Sequence, residues 1–400
     1  MVSGRRIDLK GHAETVRHRM SSGEFGSFPV VLGLLLIWVI FQSLNSNFLS
    51  PRNLSNLSVD IVGTGLIAVG IVFVLLVGEI DLSVGSVSGF GAVMFAVLNV
   101  QNGMAEWLAV IVAVLCGTAI GLVHGFFYAR VGVPAFVVTL AGLLGWSGLM
   151  LYLLGTSGTV NLDDEGLVAT LTRHYFGSVA VAYGVAALGT AVYFLASYRD
   201  RRHRRATGMP RRSLSEIALR TCVVGVIVFA AAYVLNQFRG LPLALLIFLV
   251  VVAGLDLLLR RTPYGRRVYA VGGGAEAARR AGVNIVRVRI SVFAVSASMA
   301  VVGGLFLASR ITSASQTSGT GLLLLNAIAA AVIGGVSLFG GHGTTWSAFL
   351  GILVIQSIGS GMALLGIQAA VQFMITGGVL LAAVVVDSLV RQAQKAHGRA

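Results

Sequence analysis

The stretch VLLVGEIDLSVGSVSG (Val74–Gly89) places two carboxylates, Glu79 and Asp81, between strongly apolar runs. In water such acids would be ordinary loop residues. At the centre of a bilayer each would cost about 2.5–3.5 kcal/mol on insertion scales unless protein or water surrounded it. The composition of the chain indicates which solvent applies.

The composition is that of a membrane protein. Of the 400 residues 56% are hydrophobic and only 11% are charged, whereas soluble domains average about 25% charged residues. So few charges cannot cover the surface of a soluble fold of this size. The sequence therefore predicts an all-α, polytopic membrane protein with about 10–12 transmembrane helices.

Apolar runs near the length of roughly 20 residues that a spanning helix needs recur along the whole chain. The spans 61–77 and 221–235 are short. The expected spans are 28–44, 61–77, 83–101, 107–128, 134–154, 179–197, 221–235, 242–259, 291–308, 322–338, 345–364 and 369–390. They predict an N-terminal arm over 1–27, a membrane-spanning domain over 28–390 and a tail over 391–400.

The basic residues indicate the orientation. With the N-terminus in the cytoplasm, 25 of the 29 Lys and Arg residues fall on the cytoplasmic side, most of them in the arm and in two loops, 198–220 and 260–289. This bias sets membrane topology, and an even number of spans returns the C-terminus to the cytoplasm. The net charge of +14 is therefore mainly a topology signal, and no nucleic-acid partner is predicted.

The second basic loop predicts a short cytoplasmic helix, Ala275–Ala281. Its residues are strong helix formers, its acid precedes its two arginines as the macrodipole prefers, and Gly282 suits the left-handed C′ position. Such a helix would fit a groove in a partner; the alternative is a plain connector. The candidate residues are Ala275, Glu276, Ala277, Ala278, Arg279, Arg280 and Gly282.

No catalytic pattern accompanies this helix. The only lysines, Lys10 and Lys395, do not form a P-loop Gly-Lys-Ser/Thr. The Gly272–Gly274 run fits a dinucleotide fingerprint only formally, because the loop leaves no room for a parallel sheet. We expect no enzyme activity, no cofactor and no metal site, and we interpret Cys116 and Cys222 as packing residues.

The opening stretch predicts a break in helical structure near 78–89. Asp81 would cap the following helix, while Glu79 would line a polar cavity or bond a neighbouring helix. A second break is predicted near 334–344, since GGVSLFGGH (Gly334–His342) shares the frame of GEIDLSVGS. Interrupted segments of this kind surround substrate paths in transporters; interhelical hydrogen bonding is the alternative. The candidate path residues are Glu79, Asp81, Gln316, Asn326, Ser337 and Gln356.

Three acids gather in NLDDEG (Asn161–Gly166), in a longer loop expected outside. Asp163, Asp164 and Glu165 are either solvated or in contact with a partner.

Several motifs in order resemble the permease subunits of ribose/xylose-type sugar ABC importers, with the D-xylose branch as the most similar. The resemblance covers most of the chain. It rests on NFLSPRNLSNL (Asn47–Leu57), GEIDLSVGSV (Gly78–Val87), VPAFVVTLAGLL (Val133–Leu144), YGRRVYAVGG (Tyr264–Gly273) and AIAAAVIGGVSLFGGHGT (Ala327–Thr344).

This resemblance implies a pore-forming subunit in the cell (inner or plasma) membrane that imports a monosaccharide by alternating access. It implies cytoplasmic ATP-binding subunits, an extracytoplasmic sugar-binding protein and a second permease chain as partners within the lipid bilayer. The helix Ala275–Gly282 would receive the ATPase movement, and the loops around Asp163–Glu165 and Arg310–Gly321 would meet the binding protein. The alternative is an ion-coupled secondary transporter that uses Glu79 or Asp81.

Overall fold

The structure is a computed structural model that describes residues 28–207, 209, 213–368 and 370–378, with 381, 382, 385 and 388. Helices dominate this part of the chain. They are α1 Phe28–Leu44, α2 Pro51–Leu76, α3 Val84–Ala96, α4 Glu106–Phe126, α5 Ala135–Leu154, α6 Leu167–Arg173, α7 Val179–Ala206, α8 Leu214–Asn236, α9 Leu243–Arg261, α10 Pro263–Gly273, α11 Ala275–Arg280, α12 Ile285–Ile311, α13 Leu323–Ile333 and α14 Thr345–Leu364. Wider π-helical turns extend α3 to Gln101 and α4 to Val131.

The central helix is α2. Ser50 caps its start by accepting a hydrogen bond from the backbone N–H of Asn53 at 3.3 Å, and Pro51 occupies the first turn, where its missing N–H is harmless. Within its most apolar window 94% of the residues are buried, so α2 is surrounded by protein. Its main neighbour is α12, which also contacts α3 and α4.

Nine of the described helices are long and apolar enough to cross a membrane, and α1 and α13 are shorter apolar helices. Each of the first eleven predicted spans overlaps one of these helices, which confirms the polytopic all-α fold. Of the twelfth, 369–390, residues 370–378 are helical, and nine other residues lie outside the described part of the chain, as do the arm 1–27 and the tail 391–400.

The expected span 322–338 is too long. Helix α13 has 11 residues, a length of about 16 Å, roughly half of the hydrocarbon core. It ends because the chain turns at Gly334 and at Gly335, whose φ is +100°. The predicted break near 334–344 is therefore a non-helical loop between α13 and α14.

Two short strand pairs mark one end of the bundle. Strand β1 (Thr159–Asn161) pairs antiparallel with β4 (Ser313–Ser315), and β2 (Tyr175–Phe176) pairs with β3 (Leu241–Pro242). We call this the strand end. The loops 77–83, 262–284 and 334–344 meet at the opposite end, which we call the basic end because the second basic loop lies there.

After β4 the chain turns back along α3. A methyl group at Gly89 would lie 2.1 Å from the carbonyl oxygen of Ser318, so the backbones touch where α3 has no side chain. Part of the loop Arg310–Gly321 is thus packed against α3. Gly85 and Gly89 lie within α3, so the predicted break near 78–89 is confined to 77–83.

Candidate functional site

The loop 77–83 joins α2 to α3 and buries Asp81, which is 1% exposed. One carboxylate oxygen, Oδ1, accepts hydrogen bonds from the backbone N–H of Ser83 at 2.9 Å and from its hydroxyl at 2.6 Å. The other, Oδ2, accepts from the hydroxyl of Ser296 on α12 at 3.2 Å. Three donors therefore satisfy a carboxylate that would otherwise be costly to bury.

The hydrogen-bond chain continues from Ser83 to two further helices. The Oγ of Ser83 lies 3.3 Å from Nδ1 of His124 on α4, and the indole N–H of Trp146 on α5 donates to Nε2 of His124 at 2.9 Å. Because an indole can only donate, Nε2 accepts, and a neutral ring then carries its proton on Nδ1. Each donor thus points towards Asp81, and the loop is tied to α4, α5 and α12.

The structure revises the interpretation of Asp81 as a cap. Ser83 occupies the N-cap position of α3, and its side chain makes no capping hydrogen bond. Asp81 instead accepts from the N–H of Ser83 itself. Asp81 therefore fixes the residue at the cap position and does not bond the first turn of the helix.

Glu79 is half-buried and bonds a neighbouring helix. This was one of the two roles that the sequence predicted for it; the other was to line a polar cavity. The hydroxyl of Tyr128, in the π-helical turn after α4, donates to its carboxylate. The guanidinium of Arg289 on α12 lies 4.7 Å from the centre of the Tyr128 ring. Glu79 thus belongs to a polar cluster at the basic end, separate from the Asp81 chain.

The two glycine-rich segments that echo each other in sequence meet in space. The N–H of Gly341 donates to the carbonyl oxygen of Leu76, the last residue of α2, at 2.9 Å. Ser337 shapes the second segment, because its N–H donates to the carbonyl of His342 at 2.9 Å and its Oγ accepts from the N–H of Phe339 at 3.0 Å. A buried helix end and a tight loop are joined backbone to backbone.

Helix α10, which the sequence did not predict, packs on this contact. A methyl group at Gly272 would lie only 1.7 Å from the Leu76 carbonyl oxygen and 2.6 Å from the N–H nitrogen of Gly341. We call the meeting point of Leu76, Gly272 and Gly341 the glycine junction. The hydroxyl of Tyr269, also on α10, donates to the carbonyl of Gly343 at 2.7 Å.

The predicted short helix is present as α11, one residue shorter than expected. Gly282 follows it with φ +80°, in the left-handed conformation foreseen for it. Glu276 and Arg279 form an exposed ion pair at 2.6 Å, while Ala278 is buried. Ala275 and Ala277 complete its first turns, and Arg280 is exposed. Helix α11 thus presents charge outward and is joined through Gly274 to α10.

The six path candidates do not form one site. Glu79, Asp81 and Ser337 lie in the basic-end loops. Gln316 is exposed beside Gly158, where its N–H donates to the Gly158 carbonyl at 3.1 Å. The remaining two lie on helices: Asn326 in the first turn of α13, its Oδ1 buried without a hydrogen-bond partner within the described chain, and Gln356 half-buried on α14.

The three acids of the NLDDEG loop are exposed at the strand end. Asp163 accepts from the N–H of Glu165 at 3.1 Å, and Asp164 forms an ion pair with Arg173 at 2.9 Å. The pairing of β1 with β4 places this loop beside residues 312–316. The two loops expected to meet a binding protein are therefore neighbours.

Sequence reasoning missed most partners of Asp81 and also the ion pair of Asp60 on α2 with Arg310 on α12, at 2.8 Å. Ser83 and Ser296 carried no signal, because hydroxyls are common in apolar helices. The long sequence separations, 215 residues for Asp81 and Ser296, explain the miss.

A bundle of apolar helices tied by a buried polar chain, with an exposed charged helix at one end, defines a multi-pass membrane protein. The profile of a family described as the permease component of the branched-chain amino acid transport system matches residues 53–384. The chain belongs to this permease family.

Curated relatives cover nearly the whole chain. The xylose transport system permease protein XylH of Escherichia coli K12 is 34% identical over 91% of this chain and 92% of its own length. XylH of Haemophilus influenzae is 34% identical over 92% of this chain and 98% of its own length. The ribose import permease protein RbsC of Bacillus subtilis is 30% identical over 89% of this chain and 91% of its own length. No solved structure matches this chain.

Proposed function

We propose that this chain is the permease subunit of an ATP-driven importer of a pentose, with D-xylose as the first candidate. The similarity to xylose and ribose permeases along nine-tenths of the chain supports the substrate class. The observation that carries the mechanism is the glycine junction, where α10, which leads into the exposed α11, contacts the end of the central helix. The chain lacks a P-loop, so ATP hydrolysis belongs to another subunit.

The partners follow from the two ends of the bundle. ATP-binding subunits would contact α11 at the basic end, which we place in the cytoplasm together with both termini. A sugar-binding protein would dock at the strand end, on Asp163–Glu165 and the neighbouring segment 312–316. A second copy of the chain would complete the path, as in the family that the motifs resemble.

Movement of α11 would reach the path in short steps. Helix α10 continues directly into α11, and Gly272 contacts both Leu76 and Gly341 without an intervening side chain. A shift of α10 would therefore displace the end of α2 and the loop 334–344 together. Beyond Leu76, the loop 77–83 is fixed by Asp81 to three helices, which would move with it as a packed unit.

The ion-coupled alternative gains little from the geometry. Three hydrogen bonds hold the carboxylate of Asp81, and Tyr128 binds that of Glu79. A coupling carboxylate must exchange ions with water, whereas Asp81 is almost fully buried.

The test of the function is uptake of radiolabelled D-xylose by cells that carry this chain with its ATP-binding and binding-protein partners. We expect uptake to disappear without the ATP-binding subunit and to persist under a protonophore while ATP remains. Uptake that ignores the ATPase and stops with the protonophore would contradict the proposal and favour ion coupling. L-Arabinose and D-ribose as competitors would define which pentose is carried.

Reversal of charge on α11 should uncouple transport from ATP hydrolysis. In the double variant Arg279→Glu, Arg280→Glu, two acids would replace the exposed bases at the expected ATPase contact, and we expect uptake to fall by about tenfold or more. The variant Arg130→Glu is the control, since Arg130 is exposed, precedes α5 and lies outside α11. Normal uptake by a well-expressed double variant would contradict a role of α11 in coupling.

A further inference from the structure

Helices α7 and α8 form a hairpin at the edge of the bundle. Only 11% and 17% of the residues in their apolar windows are buried, against 94% for α2. The two helices pack mainly on each other, through Ala182, Ala186 and Ala232. Most of their surface is therefore exposed at the outside of the bundle.

An apolar groove of about 490 Å³ runs between the two helices. Its floor lies where Gly225 of α8 faces Thr190 of α7. A methyl group added at Gly225 would lie 3.4 Å from the Cγ2 atom of Thr190. It extends along α8 from Ala218 to Phe229, a helical rise of about 16 Å. This matches the depth of one leaflet, half of a hydrocarbon core of about 30 Å.

Both hydroxyls in the walls of the groove have hydrogen-bond partners, and the Cys222 thiol is only a weak donor. The hydroxyl of Thr190 donates to the carbonyl of Ala186 at 2.8 Å, and that of Thr221 donates to the carbonyl of Ile217 at 2.8 Å. Both hydroxyls are thus bonded back to their own helix. An occupant must be apolar along its length, as an acyl chain is.

The mouth of the groove is strongly basic. Helix α7 continues past the lining residue Phe194, whose ring stacks on Tyr198 at 6.1 Å between centroids. Arg201 and Arg205 follow at the helical spacing that places them on the face of Phe194. Between Arg199 and Arg205 the helix carries five arginines and one acid, Asp200, which pairs with Arg204 at 3.0 Å.

We propose that an anionic phospholipid occupies this groove. One acyl chain lies between α7 and α8 from Ala218 to Phe229, and the phosphate of the headgroup lies beside Arg201 and Arg205. The aromatic pair Phe194–Tyr198 stands between the two regions, at the depth where amphipathic rings meet headgroups. The site depends on neither the transported sugar nor the sidedness of the bundle.

Native mass spectrometry of the purified full-length chain tests the proposal. The chain is incubated with phosphatidylglycerol or with phosphatidylcholine of the same acyl chains, and retained lipid is counted as detergent is removed. We expect retention to favour phosphatidylglycerol by about tenfold or more, since each basic residue near a headgroup adds to anion affinity. The double variant Arg201→Gln, Arg205→Gln should lose this preference, whereas the control Arg130→Gln should keep it.

The groove itself is tested with Gly225→Leu, which fills its floor and should reduce retention of both lipids. Gly189→Leu is the matched control, because Gly189 of α7 faces open space. Equal retention of the two lipids by the unaltered chain would contradict the preference for an anionic headgroup. Unchanged retention in Gly225→Leu would contradict the binding of an acyl chain in the groove. If the arginine variant instead loses the ATP-binding subunit in pull-down while it keeps its lipid preference, the basic helix is a protein contact.

Discussion

Replacement of Gly272 by alanine is expected to lower sugar uptake sharply and to destabilise the chain by about 1–3 kcal/mol, the usual cost of overpacking. The added methyl group would lie 1.7 Å from the Leu76 carbonyl oxygen, a distance at which α10 and α2 must separate. Separation would also lengthen the hydrogen bond between Gly341 and Leu76. The proposed coupling route from α10 to α2 would then be interrupted at its first contact.

The neighbouring glycine provides the control. Gly273 lies in the same helix with no atom within 4 Å of an added methyl group, so Gly273→Ala should leave uptake unchanged or stabilise α10 slightly. Uptake of D-xylose and thermal unfolding in detergent are measured for both variants at matched membrane levels. If Gly272→Ala transports normally, movement does not pass through the glycine junction.

Asp81→Leu should abolish uptake and destabilise the chain by roughly 3 kcal/mol or more. The substitution removes the acceptor for Ser83 and Ser296, and each buried polar group left without a partner costs about 1–3 kcal/mol. Asp81→Asn should be mild, because the amide oxygen still accepts from Ser83 and the hydroxyl of Ser296 can accept from the amide N–H. Ser296→Ala should cost about 1.5–3 kcal/mol, the usual contribution of a hydrogen bond to a charged group.

The comparison of the two Asp81 variants also separates the candidate mechanisms. Both are measured for uptake and for thermal unfolding in the same membranes. If Asp81→Asn folds normally yet loses uptake as completely as Asp81→Leu, the charge itself is required. That result would move Asp81 from a structural anchor to a residue that acts on an ion or on the cargo.

The spans could be predicted because the bilayer imposes length and apolarity on each helix separately. The ends of the helices could not be predicted where a helix is surrounded by protein and not by lipid. Helix α2 begins at Pro51 and not near 61. Its first ten residues include Asn53, Asn56 and Asp60, which lower the hydropathy, but Ser55, Leu57 and Val59 between them are buried in the bundle. Helix α10 was missed because PYGRRVYAVGG is rich in glycine, and its contact with Leu76 outweighs low helix propensity.

The polar anchors could be predicted only in part. The acids Glu79 and Asp81 stood out because charge is rare in this chain, and Gly282 stood out because a left-handed C′ glycine is a local rule. Tyr128, which donates to Glu79, and Ser296, which donates to Asp81, lie on helices farther along the sequence. A pairing across 215 residues, as for Asp81 and Ser296, leaves no periodicity to detect.

The ion pair between Asp60 and Arg310 has a consequence for biosynthesis. The two residues are 250 positions apart, and at roughly 5–20 residues per second the ribosome needs on the order of 10–50 s to complete the interval. Helix α2 therefore enters the bilayer with an acid whose counter-ion does not yet exist. The nascent chain must shelter this carboxylate beside the insertion machinery or at the headgroup surface until α12 emerges. The final assembly of the core is thus a late event in translation.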